Sequence, residues 1–256
     1  TGSANVPGQS PLTARFAQVT NPDQTFTKIY YLGTAGTSSG WRVGLPYLVE
    51  SYDVGGTTPE RQVASSWTQD DESKSYILNP RVYETNTYDA AGNRKRTDVQ
   101  YQSYSLDNGM TCQLPQDVRE YEANASMILR TTRTIYIDDL PYRSRRIIGL
   151  PKERLLYEGV VASGNLRSKL EFKYDEAESI DGNDAPVQHD TAYSSSSVLV
   201  RGNLSTVKRF NVDNLSQVTS STMKYNTAGA LVSSKDALSH EVKVSYVDSF
   251  SDGVSR

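Results

Sequence analysis

The segment MKYNTAGALVSSKDALSHEVKVSY, residues 223–246, carries the pattern that decides the fold. Tyr225 is followed by Asn226, two small residues and Gly229, and the segment closes on the alternating run Val-Lys-Val-Ser-Tyr246. An Asn or Asp that opens a type I turn can accept a hydrogen bond from a backbone N–H two residues later. A glycine at the fourth position takes the left-handed conformation from which the next strand starts. The segment therefore predicts a strand that ends in tyrosine and turns back beside itself.

The same unit recurs elsewhere in the chain. Tyr88-Asp89-Ala-Ala-Gly92 is a second full copy, and Tyr174-Asp175 is a partial one. We expect each tyrosine to pack its ring on the inner face of a sheet while its hydroxyl reaches a polar group or water. These tyrosines and turn residues, together with Tyr246, are thus predicted to be structural.

Composition points to the same architecture. Hydrophobic residues make up 36% of the 256 residues, and 17 residues are tyrosine, which favours strands with much solvent-facing area. We predict an all-β fold with little helix, an antiparallel meander of hairpins forming a large curved or spiralling sheet. The best helix candidate is a short one over Gln116–Asn124, in a segment whose second half is equally consistent with a strand. Residues 1–14 are expected to be extended or poorly ordered, and residues 15–256 to form the sheet, with a subdivision near residues 175–197.

Several classes of protein are disfavoured. Basic and acidic residues number 27 and 30 and are interspersed, so nucleic acid is not an expected partner. No apolar run approaches the roughly 18 residues of a membrane-spanning helix. The single cysteine, Cys112, cannot form an intrachain disulfide and is interpreted as a small hydrophobic residue.

The quoted residues resemble the RHS, or YD-repeat, protein family. In that family Tyr-Asp-x-x-Gly is followed by a polar stretch, then Asp-x-x-Gly, then an alternating strand that ends in Tyr. Here Asn226 replaces the first Asp, which the turn tolerates, and Ser239 replaces the second glycine, which predicts a turn of different construction. The resemblance covers residues 146–250 best and residues 76–104 less closely.

The resemblance implies a sheet wound into a hollow shell within a large bacterial protein that is secreted or exposed on the cell surface. It implies that this chain is a segment of a longer protein, joined through sheet edges to the remaining parts of that chain or to other copies. The chain has no Asp-Pro pair, and its two Gly-Leu pairs lie in other contexts than the family's self-cleaving segment. Neither autoproteolysis nor a toxin domain is therefore assigned.

No catalytic, metal or cofactor motif emerges. The two histidines, His189 and His240, are interpreted as solvated turn residues rather than members of a triad. The run Asp181-Gly-Asn-Asp184 offers oxygen ligands for calcium but lacks the spacing of a calcium-binding loop, so a plain turn is favoured. We therefore expect a non-catalytic protein that needs no metal or cofactor.

Two other functions stay open. Trp41 and Trp67 could stack on sugars if they face outward, which would make the chain an extracellular adhesion or glycan-binding module whose partners are surface glycans. A polysaccharide-active enzyme on a β scaffold, a hydrolase or a lyase, is the third hypothesis, and it requires acidic side chains clustered in a groove.

Overall fold

A computed structural model describes residues 2–4, 6, 12–33, 40–106, 109–180 and 200–246. Within them, alternating side chains and frequent turn residues produce a succession of strands and very little helix. The strands are β1 Gly2–Ala4, β2 Leu12–Thr20, β3 Phe26–Tyr31, β4 Pro46–Tyr52, β5 Arg61–Thr68, β6 Arg81–Asp89, β7 Arg94–Ser105, β8 Thr111–Tyr121, β9 Ile128–Tyr136, β10 Pro151–Glu158, β11 Leu166–Tyr174, β12 Leu204–Asn211, β13 Asn214–Tyr225, β14 Leu231–Lys235 and β15 Glu241–Lys243. The helix α1 spans Leu140–Ser144, and 3₁₀ turns span Gly40–Arg42, Ser163–Asn165 and Ala177–Ser179.

The sheet topology is a meander. Each strand lies beside its neighbours in the sequence, from β1 to β15, and the pairs are antiparallel. Short connections between sequential strands favour this arrangement, because an antiparallel neighbour can be reached by a hairpin. The prediction of an all-β antiparallel meander is confirmed, whereas the curvature of the sheet stays a prediction.

The chain divides into two compact units. The first contains Thr1–Gln102 and Pro115–Thr131, and the second contains Ser103–Leu114 and Thr132–Arg256. The boundary thus passes through β7, β8 and β9. The subdivision expected near residues 175–197 stays a prediction, because residues 181–199 lie outside the described ones.

The N-terminal segment is extended where it is described. Strand β1 pairs with the start of β2, with Gly2 opposite Ala14 and Ala4 opposite Leu12. Val6 is buried in the core of the first unit. Of residues 1–14, the extended conformation is therefore seen at residues 2–4 and 12–14.

The helix expected over Gln116–Asn124 is not formed. This sequence lies largely in β8, which ends at Tyr121. Helix propensity is a weak preference that tertiary context overrides, and here the segment has strands on both sides. As a strand it also buries the Asp117 carboxylate and the Tyr121 ring, whose hydroxyl donates to Asp98 Oδ2 at 2.6 Å.

The core of the first unit is thin and rich in tyrosine. Tyr30, Leu48 and Ala64 lie opposite one another on β3, β4 and β5 and are all buried. Two pairs further along β4 and β5, Gln62 Nε2 donates to the buried carboxylate of Glu50 at 2.8 Å. A sheet with few aliphatic residues thus completes its inner face with hydrogen-bonded polar groups, which avoids the penalty of burying them unpaired.

Candidate functional site: aromatic latches and hairpin turns

The predicted turn is present three times, beginning at Asp89, Asn226 and Asp236. In each, the N–H of the first residue donates to the carbonyl of the fifth at 2.8–3.1 Å, and the N–H of the fourth donates to the carbonyl of the first at 3.0–3.1 Å. The side-chain Oδ1 of the first residue accepts from the N–H of the fifth at 2.8–2.9 Å. The carboxylate or amide oxygen therefore accepts a backbone N–H that the turn would otherwise leave unpaired.

The fourth residue of each turn is left-handed. The φ angle is +83° at Gly92, +88° at Gly229 and +69° at Ser239. The prediction that Ser239 gives a turn of different construction is wrong, because its hydrogen bonds match those of the glycine-containing turns. Serine reaches this conformation at an energetic cost that glycine does not have.

Two further turns of this type have no Tyr-Asp signature. Asn21 N–H donates to the carbonyl of Thr25 at 2.9 Å, and Gln24 is left-handed with φ +67°. Leu106 N–H donates to the carbonyl of Met110 at 2.7 Å, and Gly109 is left-handed with φ +76°. The first of these turns still opens with an Asx residue, Asn21, whereas the second opens with Leu106, so the left-handed fourth residue occurs in both and the opening Asx residue in only one.

Tyrosine and tryptophan side chains tie neighbouring strands together in a repeated contact. In each case a ring N–H or O–H donates to a backbone carbonyl near the start of the preceding strand, and we call this contact an aromatic latch. Five latches are seen in the described part of the chain: Trp67 to Pro46 at 2.7 Å, Tyr101 to Val82 at 2.8 Å, Tyr174 to Pro151 at 3.0 Å, Tyr225 to Leu204 at 2.8 Å and Tyr246 to Leu231 at 3.1 Å.

All five latches have the same register. Each latch lies just beyond the last pair of residues that join its two strands. In the order of the latches above, these pairs are Leu48–Ala64, Glu84–Asp98, Glu153–Glu171, Thr206–Thr222 and Ser233–Lys243. The acceptor carbonyl always lies two residues before the first member of the pair, and the aromatic residue lies three residues after the second. The aromatic donor thus satisfies a backbone acceptor that lies just beyond the last paired residues, where the strand leaves its partner.

Three latch residues also face a β-bulge in the following strand. The register shifts directly before Trp67, Tyr174 and Tyr225, with one extra residue in β6, β12 and β14 respectively. A bulge bends a strand and re-aims its side chains. The bulge and the latch therefore occur together at the same edge of a hairpin.

Tyr174 and Asp175 do not form a tight turn. Asp175 is left-handed with φ +52°, and its N–H donates to the carbonyl of Asn203 at 2.9 Å. Its carboxylate accepts three consecutive backbone N–H groups, from Arg201 at 3.0 Å, Gly202 at 2.7 Å and Asn203 at 3.1 Å. Asp175 therefore holds together the two ends of the long connection between β11 and β12.

Tyr88 precedes the first full turn but forms none of the five latches. It is buried on β6, opposite Gln62 of β5 and Arg94 of β7. The two full copies of the sequence unit thus share a turn and place their tyrosines in different contacts. In the turn itself, hydrogen bonds from the side chain and backbone of Asn93 lower the pKa of Asp89.

A buried carboxylate lies among tyrosines near the core of the first unit. Tyr52 donates its hydroxyl to Glu50 at 2.5 Å, and Gln62 supplies a second donor. Burial, followed by the hydrogen bond with Glu50, raises the pKa of Tyr30 to about 12. Burial also raises the pKa values of Tyr52 and Tyr47. The neutral hydroxyls of Tyr30 and Tyr52 act as donors to the carboxylate, whereas the buried Tyr47 hydroxyl has no hydrogen-bond partner among the described residues. No sequence motif predicts this arrangement.

The tryptophans considered for glycan stacking lie in different elements, Trp41 in the 3₁₀ turn Gly40–Arg42 and Trp67 in β5. Trp41 is 1% exposed, and the Arg42 guanidinium lies 4.5 Å from the centre of its ring. Such burial leaves no ring face for a sugar, so the expectation for Trp41 is wrong. Trp67 is half-buried and directs its Nε1 to Pro46 as a latch.

The titratable groups considered from sequence form no reactive cluster among the residues that the structure describes. His240 is exposed, and its Nδ1 lies 2.9 Å from Asp236 Oδ2 within the third turn. No group of three or more His, Cys, Asp or Glu side chains that could hold a metal occurs in the described part of the chain. Cys112 is half-buried and is not in a disulfide. His189 and Asp181–Asp184 lie outside the described residues.

Comparison with known proteins gives little further information. No protein-family model and no curated protein sequence matches the chain. Among solved structures, it is similar to a porin-like protein from Bacteroides uniformis, with 10% identity and a TM-score of 0.34 over 97% of this chain and 90% of that one. A similarity at this level supports no statement about function. Within the described residues, no helix is long and apolar enough to cross a membrane.

Proposed function

We propose that this chain is a structural, non-catalytic sheet segment of an RHS-like or YD-repeat-like shell or cell-surface assembly. Its location is extracellular or on the cell surface, and it joins the remaining parts of a longer chain, or other copies, through sheet edges. The single observation that carries the proposal is the aromatic latch, which recurs five times in one register.

The latch favours a structural function because it uses the groups that a binding site would need. Tyrosine and tryptophan commonly serve binding surfaces by combining an apolar ring with a polar tip. Here five of those polar tips are bonded to backbone carbonyls of the same chain. A hairpin closed by its own latch and turn also provides an edge to which another hairpin can be added, which suits a wall built from repeated units.

The burial of Trp41 argues against the glycan-binding alternative, and the Nε1 of the half-buried Trp67 is bonded to the Pro46 carbonyl within the sheet. The enzymatic alternative requires acids clustered in a groove. The best-defined buried acid, Glu50, already accepts hydrogen bonds from Tyr52 and Gln62.

The proposal is tested by imaging the protein in its native assembly. We expect cryo-electron microscopy of the particle purified from its source to show this sheet continuing, strand by strand, into neighbouring parts of the assembly. A segment that projects alone on linkers, and that binds oligosaccharides saturably on a glycan array, would contradict the proposal.

A further inference from the structure

Three side chains on one face of β2 are exposed to solvent, namely Phe16, Gln18 and Thr20. The register between β2 and β3 is unbroken, and these residues lie directly opposite Tyr30, Lys28 and Phe26, respectively. Directly opposite residues of an antiparallel pair project from the same face of a sheet. The six side chains therefore form one continuous surface, which we call the β2–β3 platform.

The platform holds an ammonium group among aromatic rings. The Lys28 Nζ lies 4.6 Å from the centre of the Tyr52 ring, which is on the next strand, β4. It lies 5.6 Å from the centre of the Phe26 ring and 5.8 Å from that of Phe16. The negative face of an aromatic ring attracts a cation, so the three rings hold the ammonium beside the exposed face of β2.

Lys28 carries a positive charge that forms no ion pair within the described part of the chain. Glu50 lies directly opposite Lys28 on β4, but its carboxylate accepts hydrogen bonds from Tyr52 and Gln62. An ammonium has three N–H donors and forms strong, charge-assisted hydrogen bonds with carboxylates. The platform therefore matches a ligand that brings a carboxylate of its own.

We propose that the β2–β3 platform binds an acidic saccharide, a sugar chain that carries a carboxylate. The exposed Phe16 ring offers a surface to the apolar side of a sugar ring. The Gln18 amide, which donates to Thr20 Oγ1 at 3.4 Å, offers its oxygen to a sugar hydroxyl. The Lys28 ammonium then forms a charge-assisted hydrogen bond with the carboxylate.

The length and chemistry of the platform favour an extended saccharide over a free ion. Phe16 and Thr20 are about 14 Å apart at the usual rise of a strand, so the platform contacts more than one sugar unit. A ring, an amide and a hydroxyl in one row suit a ligand that combines apolar surfaces with hydroxyl groups. An acidic peptide shares the carboxylate but lacks the row of hydroxyls, and it is the alternative that the experiment must exclude.

This inference goes beyond the proposed function and assigns glycan binding to residues other than the two tryptophans. A sheet that is continuous with its neighbours can still bind a saccharide on one face, so such binding leaves the proposed function intact. Sheet continuity in the native particle tests the function, and saccharide binding by the isolated full chain tests the platform.

The experiment is a glycan array of the full chain, on which each uronate- or sialate-containing oligosaccharide is paired with its carboxyl-reduced form. We expect saturable binding to at least one acidic oligosaccharide and about tenfold weaker binding to its reduced partner, because a charge-assisted hydrogen bond is lost. A short oligoglutamate represents an acidic peptide and should bind more weakly than the acidic oligosaccharide. Equally tight binding of the oligoglutamate would overturn the proposal.

Two pairs of variants assign the binding to this face. Lys28→Gln and Arg15→Gln each remove one positive charge, but Arg15 projects from the opposite face of β2. Phe16→Ala and Val19→Ala likewise shorten an exposed side chain on opposite faces. Only Lys28→Gln and Phe16→Ala should weaken binding, each by about tenfold. Circular dichroism confirms that each variant is folded, and Gln18→Ala replaces a platform variant that is not.

Three further results would overturn the proposal. The first is a wild-type chain that binds no acidic oligosaccharide on the array. The second is equal binding to the acidic and the carboxyl-reduced forms. The third is an equal effect of the two members of either pair of variants, which would place the binding elsewhere on the chain.

Discussion

Removing one hydroxyl tests the aromatic latch directly. Tyr225→Phe keeps the ring and deletes only the donor that reaches the Leu204 carbonyl at 2.8 Å. A neutral hydrogen bond within a protein contributes about 1 kcal/mol net, and leaving a buried acceptor unpaired adds to the loss. Leu204 is half-buried, so water compensates in part, and we expect a loss of about 1 kcal/mol. The resulting change in the local opening equilibrium is roughly fivefold.

Hydrogen exchange is the appropriate assay, because a chain with two compact units need not unfold in a single transition. We expect amides of β12 and β13 to exchange roughly fivefold faster in Tyr225→Phe, with little change in the first unit. The control is Tyr76→Phe, the same deletion on a residue that is 59% exposed. Equal exchange rates in the two variants would show that the latch does not stabilise the hairpin.

Three further predictions concern the turns, the connection after β11 and the buried tyrosines. Gly92→Ala should destabilise the protein by about 1 kcal/mol, because the new Cβ meets no atom within 4 Å and only the left-handed backbone opposes it. Ser239→Gly should stabilise the protein for the same reason, and a change of the opposite sign in a urea titration would contradict either prediction. Asp175→Asn should lower the free energy of unfolding by about 2 kcal/mol and expose the backbone amides of residues 201–203 to hydrogen exchange, because charge-assisted hydrogen bonds are lost. The control is Asp213→Asn, the same change at an exposed residue, which should alter stability little. Because the pKa of Tyr30 is raised to about 12 from about 10, its contribution is complete below pH 10 and is lost as the pH rises toward 12. A melting temperature that stays constant between pH 10 and pH 12 would contradict this.

The turns were predictable because their chemistry is local. An Asx side chain, two small residues and a left-handed fourth residue lie within five positions, so Asp89 and Asn226 were identified from sequence with the correct hydrogen-bonding role. Ser239 was misjudged because glycine was treated as a requirement, whereas the opening Asp236 supplies the same hydrogen bonds. Asp175 was misjudged for a different reason: its partners begin at Arg201, and a dipeptide pattern contains no information about so distant a contact.

The latches were not predictable from composition, since their positions depend on where each ladder ends. Trp67 and Tyr101 precede no Asx turn residue, and Trp67 was considered for sugar stacking on the condition that its ring faces outward. The signal that would have found them is an aromatic residue with a polar tip three positions after the last rung of a hairpin. That position is known only once the register is known, and register is a property of two strands together.

The shared register also explains why tryptophan can replace tyrosine in a latch, whereas phenylalanine should not. A strand that enters a turn must separate from its partner, and the separation removes a donor from one backbone carbonyl. A bulge in the following strand changes the direction of the side chains next to it, which favours an aromatic residue directed back toward that carbonyl. A phenolic O–H and an indole N–H can each satisfy the acceptor, whereas a phenylalanine ring has no donor for it. A latch position therefore requires a hydrogen-bond donor on a rigid ring. Such positions recur wherever neighbouring strands separate, which explains part of the high tyrosine content of this chain.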